Sequence, residues 1–520
     1  MTQRHWLILF GIFLISVVVR LPNLNRPLSK HHEFTTAMTL ISLQNWADHG
    51  LSTYHYSPST SFEGAANLNI RNLTSYSVED EGRFYYLSFP PLGYLLPYGV
   101  FTLAGVYPSP IALQLFNLLF HLISCLLIYQ IVVMLSRKQG RLAEDSLDFG
   151  GLVAFVCYLF SPTALWFHGN VYMSDLFVSN FFILGVWVLV RMYLHPRRLM
   201  VPALLIAVFL VVYTEWLGCF FAFGAFVATV ALAFRLDRER QRYWLAASLA
   251  CVLGIFLGLG ITFLQYSSIA GWEAFWGYFE NRFLIRSASK TTESAFLTLL
   301  YYFRVCKHIF WHYVTGFLPA LLLGFALIAW RFKQQSINNE QKTASRKQET
   351  VNRKIGAILF WCVGGFSVFM HHFIFLEYTL GHNFSVLKGG LLIAVGVGML
   401  TNQLPRTVWL KVGVAAMLLF CVLQYYYINR PGEIGQNGDR YDMMQQLGEQ
   451  INAQVDSDEV VFLKGYKVEP QVMYYARRNM QRVDNVSQAK QVLQSQGLKR
   501  GKLFTIDYYK IKQVQSISIE

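Results

Sequence analysis

Long apolar runs, broken by short polar gaps, set the pattern of this chain; Ile111–Leu135 and Val201–Phe234 are examples. One bilayer crossing needs about 20 mainly apolar residues, and the runs match or exceed that length. Read in order, they predict about eleven helical spans. These fall near 6–20, 110–135, 150–167, 176–194, two within 201–234, 244–264, 311–330, 355–376, 389–403 and 407–428. A polar break, Thr214-Glu215-Trp216, divides the pair within 201–234. Between the first two spans lies a polar, aromatic loop, 21–109, with two shorter helices. One follows Glu33, runs as an amphipathic helix through Phe34, Ala37, Met38 and Ile41, and ends at Gly50, a residue suited to a C-terminal cap. The other lies in LSFPPLGYLLPYGVF (87–101), too broken by proline for a comfortable crossing and read as a helix along the membrane surface.

From about Asn429 the pattern changes. Pro431-Gly432 and Asn437-Gly438 mark a linker; EVVFLKG (459–465) and KLFTIDY (502–508) read as buried strands. YDMMQQLGEQINAQV, QVMYYARRN and SQAKQVLQSQ read as amphipathic helices. The expected architecture is a polytopic α-helical membrane region, 1–428, followed by a small soluble α/β domain, 429–520.

Composition agrees: 54% of residues are hydrophobic and only 14% charged. A net charge of +14 would suit a nucleic-acid partner, but the positive residues gather in gaps between spans, such as Arg137, Lys138, Arg141 and the basic loop 331–354. There they set orientation, with Lys/Arg-rich gaps inside. Nucleic acid is therefore not an expected partner, and the α/β domain falls on the outer face. The N-terminal run lacks a small-x-small cleavage site and reads as an uncleaved signal anchor, and a bacterial inner membrane is the expected location. Seven cysteines lie singly without CxxC spacing and read as small core residues.

Candidate chemistry then narrows to a few acids near the outer membrane surface: Glu33, Asp175, Glu215 and Glu377. A carboxylate there is costly unless it is paired or used. Glu33 and Asp175, with His31, His32 and His382 nearby, could supply a base or hold a divalent cation, Mg²⁺ or Mn²⁺. The adjacent pairs His31-His32 and His371-His372 point their rings apart, which is poor for chelating zinc. Arg282, Arg286 and Lys388 are the basic candidates, against a plain reading as interfacial anchors.

Five features occur in order: Arg20 ending the first span, Glu33 with Thr36-Ala37, Pro90-Pro91-Leu92, Met173-Ser174-Asp175, and His382-Asn383-Phe384. Together they resemble the GT-C glycosyltransferases, the group of protein mannosyltransferases and lipid A aminoarabinose transferases. Two departures stand out. Many relatives carry Asp or Asp-Glu where this chain has His32-Glu33, and some carry a charge where it has Phe89. The resemblance implies a polyprenyl-phosphate sugar donor and a glycan, lipid or protein acceptor with a hydroxyl on the extracytoplasmic side. It implies Glu33 and Asp175 as catalytic carboxylates facing one outer cavity, and Arg282, Arg286, His382 and Lys388 as contacts to the donor phosphate or substrate. A lipid-linked sugar flippase, an oligosaccharide polymerase or ligase, and a non-catalytic scaffold remain the alternatives.

Overall fold

The computed structural model describes residues 3–70, 77–136, 147–235, 238–287, 299–335, 347–429 and 438–519. Arg137, Lys138, Arg141, part of the basic loop 331–354, Pro431-Gly432 and Asn437 lie outside the described residues, as does the linker that would divide the chain near 429.

Among the described residues, eight helices are long and apolar enough to cross a membrane, and eight of the expected spans correspond to them. They are α1 (Gln3–Arg20), α4 (Pro110–Ser136), α7 (Ser174–Leu194), α10 (Arg238–Ser267), α12 (Leu299–Gln335), α13 (Lys347–Ile374), α15 (Leu387–Thr401) and α16 (Val408–Asn429). The other three expected spans are shorter. Span 150–167 splits into α5 (Phe149–Leu159) and α6 (Pro162–Phe167), because Ser161 caps the new helix and Pro162 starts it. The run 201–234 divides as expected into α8 (Met200–Val212) and α9 (Leu217–Ala233). At about 1.5 Å per residue, α8 is shorter than the hydrocarbon core, so its turn brings Glu215 into the packed interior.

The loop between α1 and α4 holds α2 (Phe34–His49), capped by Gly50 at φ 87°, and α3 (Leu92–Ala104). α2 departs from the amphipathic expectation: every residue from Thr35 to Trp46 is buried. Thr36, Ser42 and Asn45 are satisfied internally. Thr36 Oγ1 accepts from Tyr172 N (2.9 Å), Ser42 donates to Ser59 O (2.7 Å) and Asn45 to Ser61 O (2.6 Å). The helix is enclosed because the loop chain, α3 and the C-terminal unit all close around it.

Helix α11 (Gly271–Arg286) follows α10, and the short α14 (Leu376–Gly381) links α13 to α15. The C-terminal unit contains α17 (Met443–Asn452), α18 (Pro470–Ala476), α19 (Val486–Ser495) and a four-stranded sheet. The small hairpin 78–85 supplies β1 (Val78–Asp80) and β2 (Arg83–Tyr85). The sheet is formed by β3 (Val460–Lys464), β4 (Met480–Arg482), β5 (Arg500–Asp507) and β6 (Lys510–Ser518), in the order β4-β3-β5-β6. β3 is parallel to β4 and β5, and Val460–Leu463 are buried, as a strand covered on both faces requires. Ile41 of α2 sits in the core on one side of the sheet, while Ala66 and Ile70 sit in the core on the other. The loop 21–109 is thereby built into the C-terminal unit.

Candidate functional site

Arg20 is fully buried at the end of α1. No carboxylate accepts from it among its hydrogen bonds in the described residues. It donates to the carbonyls of Leu165 (3.1 Å) and Ser16 (3.0 Å) and lies 3.1 Å from His121 Nδ1. It therefore ties α1 to α6 through the Leu165 carbonyl, one that the helix leaves open near its end, and to α4 through the His121 ring.

Glu33 has a different partner. Arg26 grips both its oxygens, at 3.0 and 3.2 Å, and Ser29 N donates to Oε2 at 2.5 Å. The Arg26 guanidinium stacks on Tyr441 (3.8 Å to the ring centroid) and Trp166 (5.1 Å). Next to Glu33, His32 adopts φ 62°, a left-handed turn that delivers the chain into α2. Burial, then neighbouring Arg26, lowers the His31 pKa to about 4; burial, then His31 and His382, lowers His32 to about 3. Both rings are therefore neutral near pH 7. They line a cavity of about 340 Å³ between the 29–34 turn and the C-terminal unit, with Glu33 and Arg26 behind its wall.

Asp175 lies in the first turn of α7, where the helix N-terminus favours an anion. Lys388 lies in the first turn of α15, where a cation is disfavoured, and the ion pair offsets that cost: Lys388 Nζ is 2.5 Å from Asp175 Oδ1. Glu215, in the α8–α9 break, accepts from the backbone N–H of Leu217, the first residue of α9, at 2.8 Å. Its other oxygen is 3.3 Å from His371 Nε2, near the end of α13. Asp175, Glu215, His371 and Lys388 are all buried. Asp175, Glu215 and His371 bring donor atoms within 4.8 Å of one another, a grouping that could hold a metal ion. Asp175 Oδ2 makes no short hydrogen bond among the described residues, while the Tyr378 hydroxyl interacts with the Asp175 carboxylate.

Arg282 and Arg286 share one face of α11, four residues apart. Arg282 Nε donates to Ser88 Oγ (3.0 Å), and Arg286 Nη1 to Ser88 O (3.2 Å). The Arg286 guanidinium also lies over the rings of Phe89 (4.4 Å) and Tyr378 (5.3 Å). A cation therefore stands at Phe89, delivered by α11. Both arginines line two cavities. The smaller, about 160 Å³, is walled by Trp216, Phe220, Phe279, Phe283 and Phe375. The larger, about 570 Å³, also takes in Tyr378, His382, Met173 and Glu377, and extends to Lys467 and Glu469 of the C-terminal unit. His382 Nδ1 donates to Tyr378 O (2.7 Å), which leaves Nε2 as the acceptor nitrogen, and its ring stacks on Tyr378 at 4.3 Å. Burial lowers its pKa, against the raising effect of that hydrogen bond, so it too is neutral near pH 7.

Of the residues expected from sequence, the fold thus brings Asp175 and Lys388 into contact and sets Arg282, Arg286 and His382 around one cavity. Glu33 is not joined to Asp175. Neither carboxylate lines the large cavity; Glu33 backs the 340 Å³ cavity, which shares Lys30, Phe34 and Lys467 with the larger one, while Asp175 follows its lining residue Met173 by two positions. Sequence reasoning did not find Arg26, or His371 as the partner of Glu215. The acid in the 214–216 break was the only hint of the second.

No model of a known protein family matches the chain, and no curated protein does. Solved structures do. ArnT from Cupriavidus metallidurans bound to undecaprenyl phosphate superposes with a TM-score of 0.59 at 12% identity, over 97% of this chain and 93% of that one. The archaeal oligosaccharyltransferase AglB from Archaeoglobus fulgidus, in complex with an inhibitory peptide and a dolichol-phosphate, matches at 0.53 and 11% identity, over 96% and 69%. A further structure of the Archaeoglobus fulgidus oligosaccharyltransferase, with Zn and sulfate, also gives 0.53. At such identities the likeness shows the fold alone: the chain is an integral membrane protein similar in fold to the GT-C membrane glycosyltransferases ArnT and AglB.

Proposed function

We propose that this chain transfers a sugar from a polyprenyl-phosphate carrier to an acceptor hydroxyl at the extracytoplasmic face of a membrane, with inversion at the anomeric carbon. One observation carries the reading: Arg282 and Arg286 stand between an aromatic-walled apolar groove and a larger, polar-lipped cavity. A lipid-linked phosphosugar has the same three parts in the same order. Its hydrocarbon would lie in the groove, its phosphodiester at the guanidinium pair and its sugar in the cavity. ArnT and AglB were solved with undecaprenyl phosphate and dolichol-phosphate, which supports a ligand of this chemistry in a shared fold.

In the reaction, the acceptor oxygen forms a bond to the anomeric carbon as the carbon–phosphate oxygen bond breaks. The leaving group departs as a phosphate monoester whose added charge the arginines stabilise, so no strong acid is needed. The acceptor proton passes to a carboxylate. Asp175 is assigned this role: Lys388 holds Oδ1, and Tyr378, which lines the large cavity, interacts with the same carboxylate and connects it to the acceptor side. Glu33, engaged through both oxygens, holds the 26–33 turn that walls the neighbouring cavity. His382 and Tyr378 line the sugar side.

The test is transfer of labelled sugar from a polyprenyl-phosphate donor by the protein in nanodiscs, paired with the glycan phenotype of a deletion strain. Asp175→Asn should lower turnover at least about 100-fold, the scale of general acid–base catalysis, with donor binding retained. Should Glu33→Gln abolish turnover in a stably folded protein while Asp175→Asn does not, the two roles are exchanged. Movement of the lipid across the bilayer without any transfer would make the protein a flippase instead.

A further inference from the structure

Lys388 occupies the position a metal ion would take. Its Nζ lies 2.5 Å from Asp175 Oδ1, 2.7 Å from His371 Nε2 and 3.6 Å from Glu215 Oε2. These three residues are the ones whose donor atoms converge within 4.8 Å. Zinc-like ions sit about 2.0–2.2 Å from carboxylate and imidazole donors. An ion bound to the trio would thus need the space that the ammonium fills, and the two exclude each other. An ammonium carries three donor hydrogens and no acceptor, so it suits a ring of two carboxylates and an imidazole. The 2.7 Å contact makes His371 Nε2 an acceptor from lysine, ahead of the longer 3.3 Å approach of Glu215 to the same nitrogen.

The lysine also has little room to withdraw. It is followed by Gly389 and Gly390, at which added Cβ atoms would lie 2.0 Å from Tyr313 Oη and 2.7 Å from Phe317 Cζ. The start of α15 is therefore pressed against α12, and the side chain is buried along its length. The geometry points to Lys388 as a tethered monovalent cation in a site otherwise composed for a divalent metal, so that Asp175 is positioned without a metal cofactor. Lys388 acts here through Asp175 and is a positioning residue.

This inference does not depend on the transferase reading, because metal content is measured without turnover. Full-length protein in detergent is stripped with chelator, equilibrated with Co²⁺ and desalted; bound metal is counted by elemental mass spectrometry and the cobalt absorption bands are recorded. The wild type should hold no cobalt that Asp175→Asn removes. Lys388→Ala should take up one ion per chain, with cobalt bands that vanish in Lys388→Ala/Asp175→Asn. One cobalt per wild-type chain, lost in Asp175→Asn, overturns the inference whether or not Lys388→Ala folds. A monodisperse Lys388→Ala protein that binds no more cobalt than wild type overturns it as well.

Discussion

The Arg26–Glu33 pair is buried, bidentate and stacked between two aromatic rings, so its loss leaves a charge with nowhere to go. Breaking a buried pair from one side costs about 3–5 kcal/mol, whereas replacing both partners by apolar residues is far cheaper. Arg26→Met should therefore lower the melting temperature sharply, and Arg26→Met/Glu33→Leu should recover most of it. The buried histidines act through pH. Their folded pKa values lie below the ordinary value, so in acid the unfolded chain binds more protons than the folded one. Stability is full above about pH 6.5, the unfolded value, and falls as pH drops toward about 4 and then 3. Chemical denaturation across that window should show the fall, and His31→Gln/His32→Gln should flatten it. At this scale the sequence was partly legible. Asp175 and Lys388 could be named as polar residues beside span ends, and Arg282 and Arg286 as basic residues of an external segment. That Lys388 meets Asp175 across 213 residues could not be read, since no periodicity links helix ends so far apart. Glu33 was legible as a costly acid, but its partner Arg26 sits seven residues earlier, in a turn that the apolar pattern does not describe.

Helix length decides where the chemistry gathers. α8 and α9 are short, and the break between them carries Glu215 to the starts of α7 and α15. α3 is locked over the same region: a Cβ at Gly93 would lie 2.2 Å from Ser174 Oγ and 2.9 Å from Ser174 Cα, next to Asp175. Gly93→Val must displace α3 or the start of α7. It should reduce turnover and lower the melting temperature although residue 93 lies outside the cavity lining. Gly99 on the same helix has nothing within 4 Å of its Cβ position, so Gly99→Ala should be neutral or stabilising by about 0.5–1 kcal/mol. Long apolar runs made the membrane helices readable, although α10 and α13 extend six and eight residues ahead of the expected spans at 244 and 355. Where the apolar pattern weakens, the elements are harder to read. α12 begins at Leu299, well ahead of the expected 311, because LLYYFRVCKHIF is helical without being uniformly apolar. β6 escaped because KIKQVQSIS is a largely exposed edge strand with little to bury.

Across the whole molecule, the C-terminal unit completes the surface that holds the cavities. Tyr475 Oη accepts from Leu28 N (2.9 Å), Gln471 donates to Ser29 O (2.8 Å), and Lys467 and Glu469 border the large cavity. A chain ending at residue 429 would expose Ile41, Ala66 and Ile70 and release the 28–29 backbone. It should melt at lower temperature and lose transfer even though every cavity-lining residue of the membrane region remains. Composition and order of motifs pointed to this architecture, because apolar run length and the change near 429 are written along the chain. The interlock of loop and sheet was not, since Ile41, Ala66 and Ile70 look like ordinary apolar residues of a loop. The central claim is that Arg282 and Arg286 bind a lipid-borne phosphate between groove and cavity. Native mass spectrometry of the protein in nanodiscs with added polyprenyl phosphate tests it most directly. One lipid phosphate should bind per chain, at least about tenfold more weakly in Arg282→Met/Arg286→Met, since a phosphate held by paired guanidinium groups loses its main contacts. Absence of binding to the wild type, or equal binding by a folded double variant, would contradict it.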